Sequence, residues 1–231
     1  MALTKLALIV STIATTLLST SHAQAPNGTP YTDPTTNISF STWDIPKSSG
    51  AGPLTFGLAL PTSALETDAT EFIGYLQCAP AKGWCGISLG GAMTDSLLLV
   101  AYPDPANNTV KHSLRFTPRY TLPGLYGGNA TVTPIQSNVT DDSFTSIFRC
   151  QGCLHWSQNG TEGAAATSSG HLDLAFALAS EGPRNSACPD EATFVQHSHQ
   201  GTWLAFVDEG ATGRGYDGWA EQARGGGKGG C

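Results

Sequence analysis

Between residues 54 and 206 the chain alternates short runs rich in β-branched and aromatic residues with clusters of Gly, Pro, Asn, Asp and Ser, and this punctuation leaves little room for helices. Runs of strand character fall at 54–60, 71–77, 85–89, 96–102, 110–117, 130–135, 143–150, 171–179 and 202–206. The intervening clusters 48–53, 103–108, Pro123-Gly124 and 161–170 read as turns. Only 219–224 has the pattern of a short helix. Strands in this number with near-regular turn signals predict an all-β chain, a sandwich or a barrel. There is no internal repeat.

The N-terminus predicts the compartment. Lys5 supplies a positive n-region, residues 6–18 an apolar stretch, and Ser21-His22-Ala23 a small-x-small cleavage signal, so 1–23 reads as a signal peptide and Gln24 as the first mature residue. A secreted protein is the consequence. No later stretch approaches the ~18 apolar residues of a membrane span. Asn27, Asn37, Asn107, Asn129, Asn138 and Asn159 each begin an N-x-S/T triplet, as a glycoprotein of the secretory route would carry. Removing residues 1–23 from 231 leaves 208, enough for a β-domain that needs no metal to hold its core. The formal charge of −7, or −8 without Lys5, argues against nucleic acid and anionic membrane as partners. Six cysteines in an oxidising compartment imply three disulfides. Local spacing suggests Cys78 with Cys85 and Cys150 with Cys153, leaving Cys188 with Cys231 to hold the tail, although six cysteines allow about fifteen pairings. The segment 223–231 has the Gly-rich composition of a linker or tail.

Few residues carry chemistry. Beyond the signal peptide the chain has one methionine, Met93, in Gly90-Gly91-Ala92-Met93-Thr94, and a thioether used once is either core filler or a ligand. Its natural complement is the segment Gln196-His197-Ser198-His199, because Met and neutral His are an axial pair that raises the potential of a haem iron. Cys150-Gln151-Gly152-Cys153-Leu154-His155 misses the covalent haem motif by one residue, since Leu154 separates the second Cys from the His. A structural disulfide is the better reading there. His197-x-His199 on one strand would direct both rings to one face, but no third metal ligand lies near. A G-x-S-x-G elbow, a Rossmann fingerprint and a P-loop are all absent, and no carboxylate spacing singles out an acid–base pair.

Four ordered segments extend the pattern: Glu71-Phe72-Ile73-Gly74-Tyr75, the run from Gly83 to Thr94, Phe148-Arg149-Cys150-Gln151-Gly152-Cys153, and Gln196-His197 before Gly201-Thr202-Trp203. Together they resemble the N-terminal cytochrome domain of fungal cellobiose dehydrogenase over nearly the whole mature chain. That resemblance implies an immunoglobulin-like β-sandwich, residues 24–222 here, with a haem b held non-covalently between an axial Met and an axial His. Met93 takes the Met position and His197 the His position, while His199 falls where the family has no ligand. Gly90 and Gly91 would let backbone approach a flat porphyrin. Tyr120 is similar to a family tyrosine near a haem propionate; Arg115 or Arg119 could pair a propionate, although an Arg on a solvated face is the simpler reading.

The resemblance also implies a role. With both axial positions filled, outer-sphere electron transfer is expected rather than oxygen activation. Cellobiose dehydrogenase continues into a flavin domain, whereas this sequence ends at Cys231 without a dinucleotide fingerprint, so no oxidation of cellobiose is expected of the chain by itself. It reads as a monomeric secreted cytochrome, free-standing or the front of a flavocytochrome, taking electrons from a flavin dehydrogenase or small reductant and passing them to a lytic polysaccharide monooxygenase. The competing expectation is a haem-free carbohydrate-binding module stacking sugars on Trp84, Trp156, Trp203 and Trp219.

Overall fold

The computed structural model describes residues 27–45, 54–79 and 81–225. The expected signal peptide and most of the Gly-rich tail, Cys231 included, lie outside these residues. In chain order the strands are β1 (Thr29–Thr32), β2 (Ser39–Ile45), β3 (Leu54–Ala59), β4 (Phe72–Cys78), β5 (Trp84–Ser88), β6 (Leu98–Asp104) and β7 (Thr109–Phe116). There follow β8 (Gly124–Leu125), β9 (Thr131–Val139), β10 (Phe144–Gln151), β11 (His155–Gln158), β12 (Thr161–Ala164), β13 (His171–Ala179) and β14 (His199–Phe206). They form two six-stranded antiparallel sheets, β1-β2-β3-β4-β10-β9 and β14-β13-β5-β6-β7-β8, plus the hairpin β11–β12. The fold is an all-β sandwich. Each of the nine expected runs is a strand.

The main core lies between the sheets, where Phe56, Phe72 and Phe148 meet edge to face at 6.3 and 6.1 Å, against Ile87, Leu99, Leu174 and Leu178 of the second sheet. Strand β4 reads Phe-Ile-Gly-Tyr-Leu, apolar without alternation, because its sheet is covered on both faces. The outer cover is helix α1 (Tyr216–Glu221), whose Tyr216 and Ala220 pack on Ile38, Ile73, Tyr75 and Ile147. Arg149 grips Glu71 through Nη2 at 2.7 and 2.9 Å, and the Tyr216 hydroxyl donates to the same carboxylate at 3.3 Å, which fastens the helix to the sheet. The helix therefore begins three residues before the expected 219–224, and a 3-10 turn, Gln222–Gly225, completes that segment.

Two details matter for the site. Strand β9 is a sheet edge, the setting in which a strand tolerates a proline such as Pro134, and the register shifts where Ile147 faces Gln136 and Phe148 faces Pro134. The segment 161–170, expected to be turn throughout, opens with β12: Asn159 (φ 54°) and Gly160 (φ 82°) make a two-residue left-handed turn that folds β12 back onto β11. Disulfides join Cys78 to Cys85 and Cys150 to Cys153, as the spacing suggests. All six sequon asparagines are exposed.

Candidate cofactor cleft

The outer face of the second sheet is paved with small residues. Strand registers place Thr202, Ala175, Ser88, Leu98 and Arg115 in one row, and Gln200, Ala177, Gly86, Val100 and Ser113 in the next. Their neighbours Ile87, Leu99, Leu174 and Leu178 point into the core, so these rows face outward. Gly86, Ser88, Ala175 and Ala177 thus leave the middle of the face flat, and a cleft of about 680 Å³ stands over it. That volume lies within the roughly 300–1,000 Å³ of small-molecule and cofactor sites. Met93, His197, Gly91 and Tyr120 all line this one cleft.

Met93 stands on the loop joining β5 to β6. The loop is closed at its base by Leu89 N–H to Leu97 O at 3.1 Å, and the Ser88 hydroxyl donates to Ala92 O. Gly91 (φ 74°) and Asp95 (φ 58°) take left-handed backbone on either side of the methionine. Asp95 is fixed twice, its N–H donating to Thr117 O at 2.9 Å and its carbonyl accepting from Trp156 Nε1 at 3.0 Å. The two glycines have different work. Gly91 lines the cleft, whereas a Cβ on Gly90 would come within 2.6 Å of Ser96 Oγ and 3.0 Å of Trp156 Cζ2, so Gly90 serves the packing of the loop on the β11–β12 hairpin.

His197 arrives from the opposite side, in irregular chain before β14. Residues Arg184 and Thr193 bridge by N–H to carbonyl bonds at 2.9 and 3.0 Å, Phe194 packs edge-on against Trp84 at 5.6 Å, and Ser198 N–H donates to Leu178 O at 3.0 Å. Burial pushes the His197 imidazolium pKa down, which favours the neutral ring a metal ligand requires. His199 begins β14, so the two histidines do not share a strand as expected. Its Nδ1 lies 3.0 Å from Ser198 Oγ, and it is not part of the cleft. Among the described residues no cluster of three His, Cys, Asp or Glu side chains could hold an ion, so a purely protein-built copper or zinc site has no support.

Arg115 departs most from its sequence reading. Instead of a solvated face it occupies the buried wall of the cleft, 6% exposed. Its Nη2 donates to Pro189 O at 2.6 Å and Ala192 O at 2.8 Å, and its Nε to Ser113 Oγ at 2.7 Å. Arg119, by contrast, is exposed. Trp84 and Trp156 are buried, so neither can offer the exposed ring that stacking on sugar requires. At the mouth, Tyr120 is 82% and Leu122 62% exposed. Cys150 and Cys153 are bonded to each other, which leaves neither thiol for covalent attachment of a cofactor.

A family model described as the cytochrome domain of cellobiose dehydrogenase matches residues 31–217. The chain belongs to that family. The cytochrome domain of cellobiose dehydrogenase from Myriococcum thermophilum is 46% identical, with a TM-score of 0.82 over 85% of this chain and 96% of that one. The cytochrome b domain of pyranose dehydrogenase from Coprinopsis cinerea, 24% identical with a TM-score of 0.67, shares the fold, again over 85% of this chain and 96% of its own. A pyrroloquinoline quinone-dependent pyranose dehydrogenase of the same organism is 32% identical over 145 residues, 62% of this chain and 19% of that protein. The chain therefore spans about a fifth of that relative's length.

The residues of this cytochrome domain suit the haem its family implies. A flat floor matches a planar macrocycle, and a thioether and a neutral imidazole stand on opposite approaches to it. Trp84 Nε1, in the cleft wall, is buried and finds no acceptor among the described residues, and buried donors are rarely left so unless a ligand or water completes them.

Proposed function

We propose that this chain, over residues 24–222, is a secreted electron-transfer cytochrome domain binding haem b without covalent attachment, with Met93 and His197 as axial ligands. The observation that carries the reading is the convergence of the sequence's lone post-signal methionine and a desolvated histidine on one small-residue cleft. A bound haem supplies a one-electron couple. The protein would offer the iron a thioether and a neutral imidazole, which would favour its reduced state and leave no coordination site for substrate or dioxygen. Gly91, Gly86, Ala175 and Ala177 admit the flat group, and Tyr120 at the exposed mouth stands where a redox partner would approach.

Electrons come, in this reading, from a flavin or quinone dehydrogenase, joined to the domain or separate, or from a small reductant. They go to an acceptor such as a lytic polysaccharide monooxygenase. The chain has no substrate site of its own for sugar oxidation and acts as a monomer. The test begins with the absorption spectrum of the purified secreted protein, where a low-spin b-type spectrum is expected and a featureless visible region refutes the cofactor. Anaerobic stopped-flow mixing of the reduced protein with copper-loaded monooxygenase should then oxidise it rapidly, with a rate that depends on ionic strength. Oxidation no faster than without the monooxygenase excludes that acceptor.

A further inference from the structure

Tyr102 and Lys111 tie Ser186 and Ala187 to the sheet, and the residues that follow, 189–194, are held mostly through one further side chain. Arg115, on β7, reaches across to residues 189–192: Nη2 donates to the carbonyls of Pro189, Ala192 and, at 3.4 Å, Asp190. Ser113, two residues earlier on the same face, supplies its hydroxyl to Pro189 O at 2.9 Å and receives Arg115 Nε. The guanidinium also lies 5.2 Å from the centre of the Phe194 ring, within cation–π range. Phe194 in turn packs edge-on against Trp84 and Tyr102, at 5.6 and 5.8 Å. The side-chain contacts that tie residues 189–194 to the sheet therefore converge on Arg115, on the Ser113 hydroxyl it holds, and on the ring beneath it.

The charge is as unusual as the contacts. The two ion pairs among the described residues are Lys111 with Asp104 and Arg149 with Glu71, so Arg115 has no ion-paired carboxylate; the Asp190 charge acts on it without forming an ion pair. A guanidinium remains protonated when buried. Isolated buried charge is costly, and proteins retain it where something in the site answers it. Here three carbonyl dipoles answer it in part, and Nη1 makes no hydrogen bond among the described residues although Arg115 lines the cleft.

We infer that Arg115 is a positioning residue for His197 and a fixed positive charge that raises the reduction potential of the group held in the cleft. The inference rests on the cytochrome reading above. The guanidinium locks residues 189–194 to β7, which sets where the chain delivers His197. Its charge favours any cleft occupant that gains an electron, because the added negative charge is attracted in a low-dielectric wall. A lysine at this position keeps the charge but cannot span the hydroxyl and three carbonyls with one ammonium.

Two variants separate these roles, read by midpoint potential and by hydrogen exchange of the peptide 184–198 in the purified protein. Arg115→Met should lower the potential and speed exchange on the order of tenfold, the loss of charge-assisted bonds. Arg115→Lys should speed exchange while keeping the wild-type potential. Unchanged exchange in Arg115→Met overturns the tether, and an unchanged potential overturns the electrostatic role. If Arg115→Met does not fold, Arg115→Lys decides: faster exchange at wild-type potential supports both roles, unchanged exchange refutes the tether, and a lowered potential refutes the role of charge. A wild-type protein without a haem spectrum refutes the cofactor reading and the electrostatic role with it, whereas the exchange measurement still decides the tether by itself.

Discussion

Replacing His112 by Gln isolates one buried titration whose size follows from the structure. His112 sits on the inner face of β7 between the two sheets, its ring 4.9 Å from Phe148 and its Nε2 3.0 Å from Ser146 Oγ. Nδ1 is buried without a partner among the described residues, and desolvation pushes the imidazolium pKa from the ordinary 6.5 down to about 4. The folded protein therefore keeps the ring neutral while the unfolded chain protonates it. Stability from this residue is complete above pH 6.5, declines as pH falls toward 4, and levels off below, because the unfolded state binds the extra proton only in that window. At about 1.4 kcal/mol for each tenfold difference in proton affinity between the folded and unfolded chain, the wild type should lose about 3 kcal/mol between pH 7 and pH 4 through His112. His197, also lowered by burial, adds to the fall in wild type and variant alike, and the depressed Asp68 and Asp104 act at still lower pH in both. Gln can still bond the Ser146 hydroxyl, so His112→Gln should fold, losing about 1 kcal/mol at pH 7. Urea unfolding followed by circular dichroism at half-unit steps of pH gives the comparison. Wild type and His112→Gln with parallel stability profiles would refute a neutral buried ring.

Three further outcomes test the cleft. Met93→His should retain the cofactor but lower its midpoint potential in spectroelectrochemical titration, since a second imidazole donates better to ferric iron than a thioether; an unchanged potential rules Met93 out as a ligand. His197→Ala should lose haem or turn high-spin while His199→Ala keeps the low-spin spectrum, and the reverse result would move the ligand assignment by two residues. Ala177→Leu, on the half-buried floor, should cut cofactor content by roughly tenfold, a loss of about 1.4 kcal/mol in binding, while the melting temperature of the cofactor-free protein stays unmoved. Full cofactor content in that variant would show that the cofactor does not lie on this face.

The strands were readable where turn chemistry framed them and obscured where it did not. In β2 Phe40 packs outward under the helix layer while Trp43 and Ile45 join the inter-sheet core, so burial on both faces blurs the period of two. The β11–β12 hairpin had its signal in Asn159-Gly160, but the polar composition of 161–170 reads equally as loop. The candidate ligands are legible through the ordered motifs, not through periodicity, because neither stands in a strand. Arg115 was legible only as one of two candidate partners for a propionate, and its buried place in the cleft wall was not. A strand arginine is ordinarily solvated, and nothing local announces that its partners are carbonyls 74 and 77 positions away.

One short stretch of β7 and its exit connects the two approaches to the cleft. Arg115 binds the carbonyls that lead to His197, and Thr117, two residues on, gives its carbonyl to Asp95 N–H on the loop that carries Met93. Arg115 also pairs with Leu98 on β6, the strand into which the Met93 loop feeds. Both approaches to the cleft are therefore anchored on β7 and its exit. Trp156 reinforces the Met93 side from the β11–β12 hairpin, whose Gly163 has no room for a Cβ against the indole. The β6–β7 ladder beneath these anchors is fully paired, so shifting it would expose backbone groups. If Met93 and His197 hold the cofactor as proposed, donors kept in place through a change of charge would leave little to reorganise when the electron arrives.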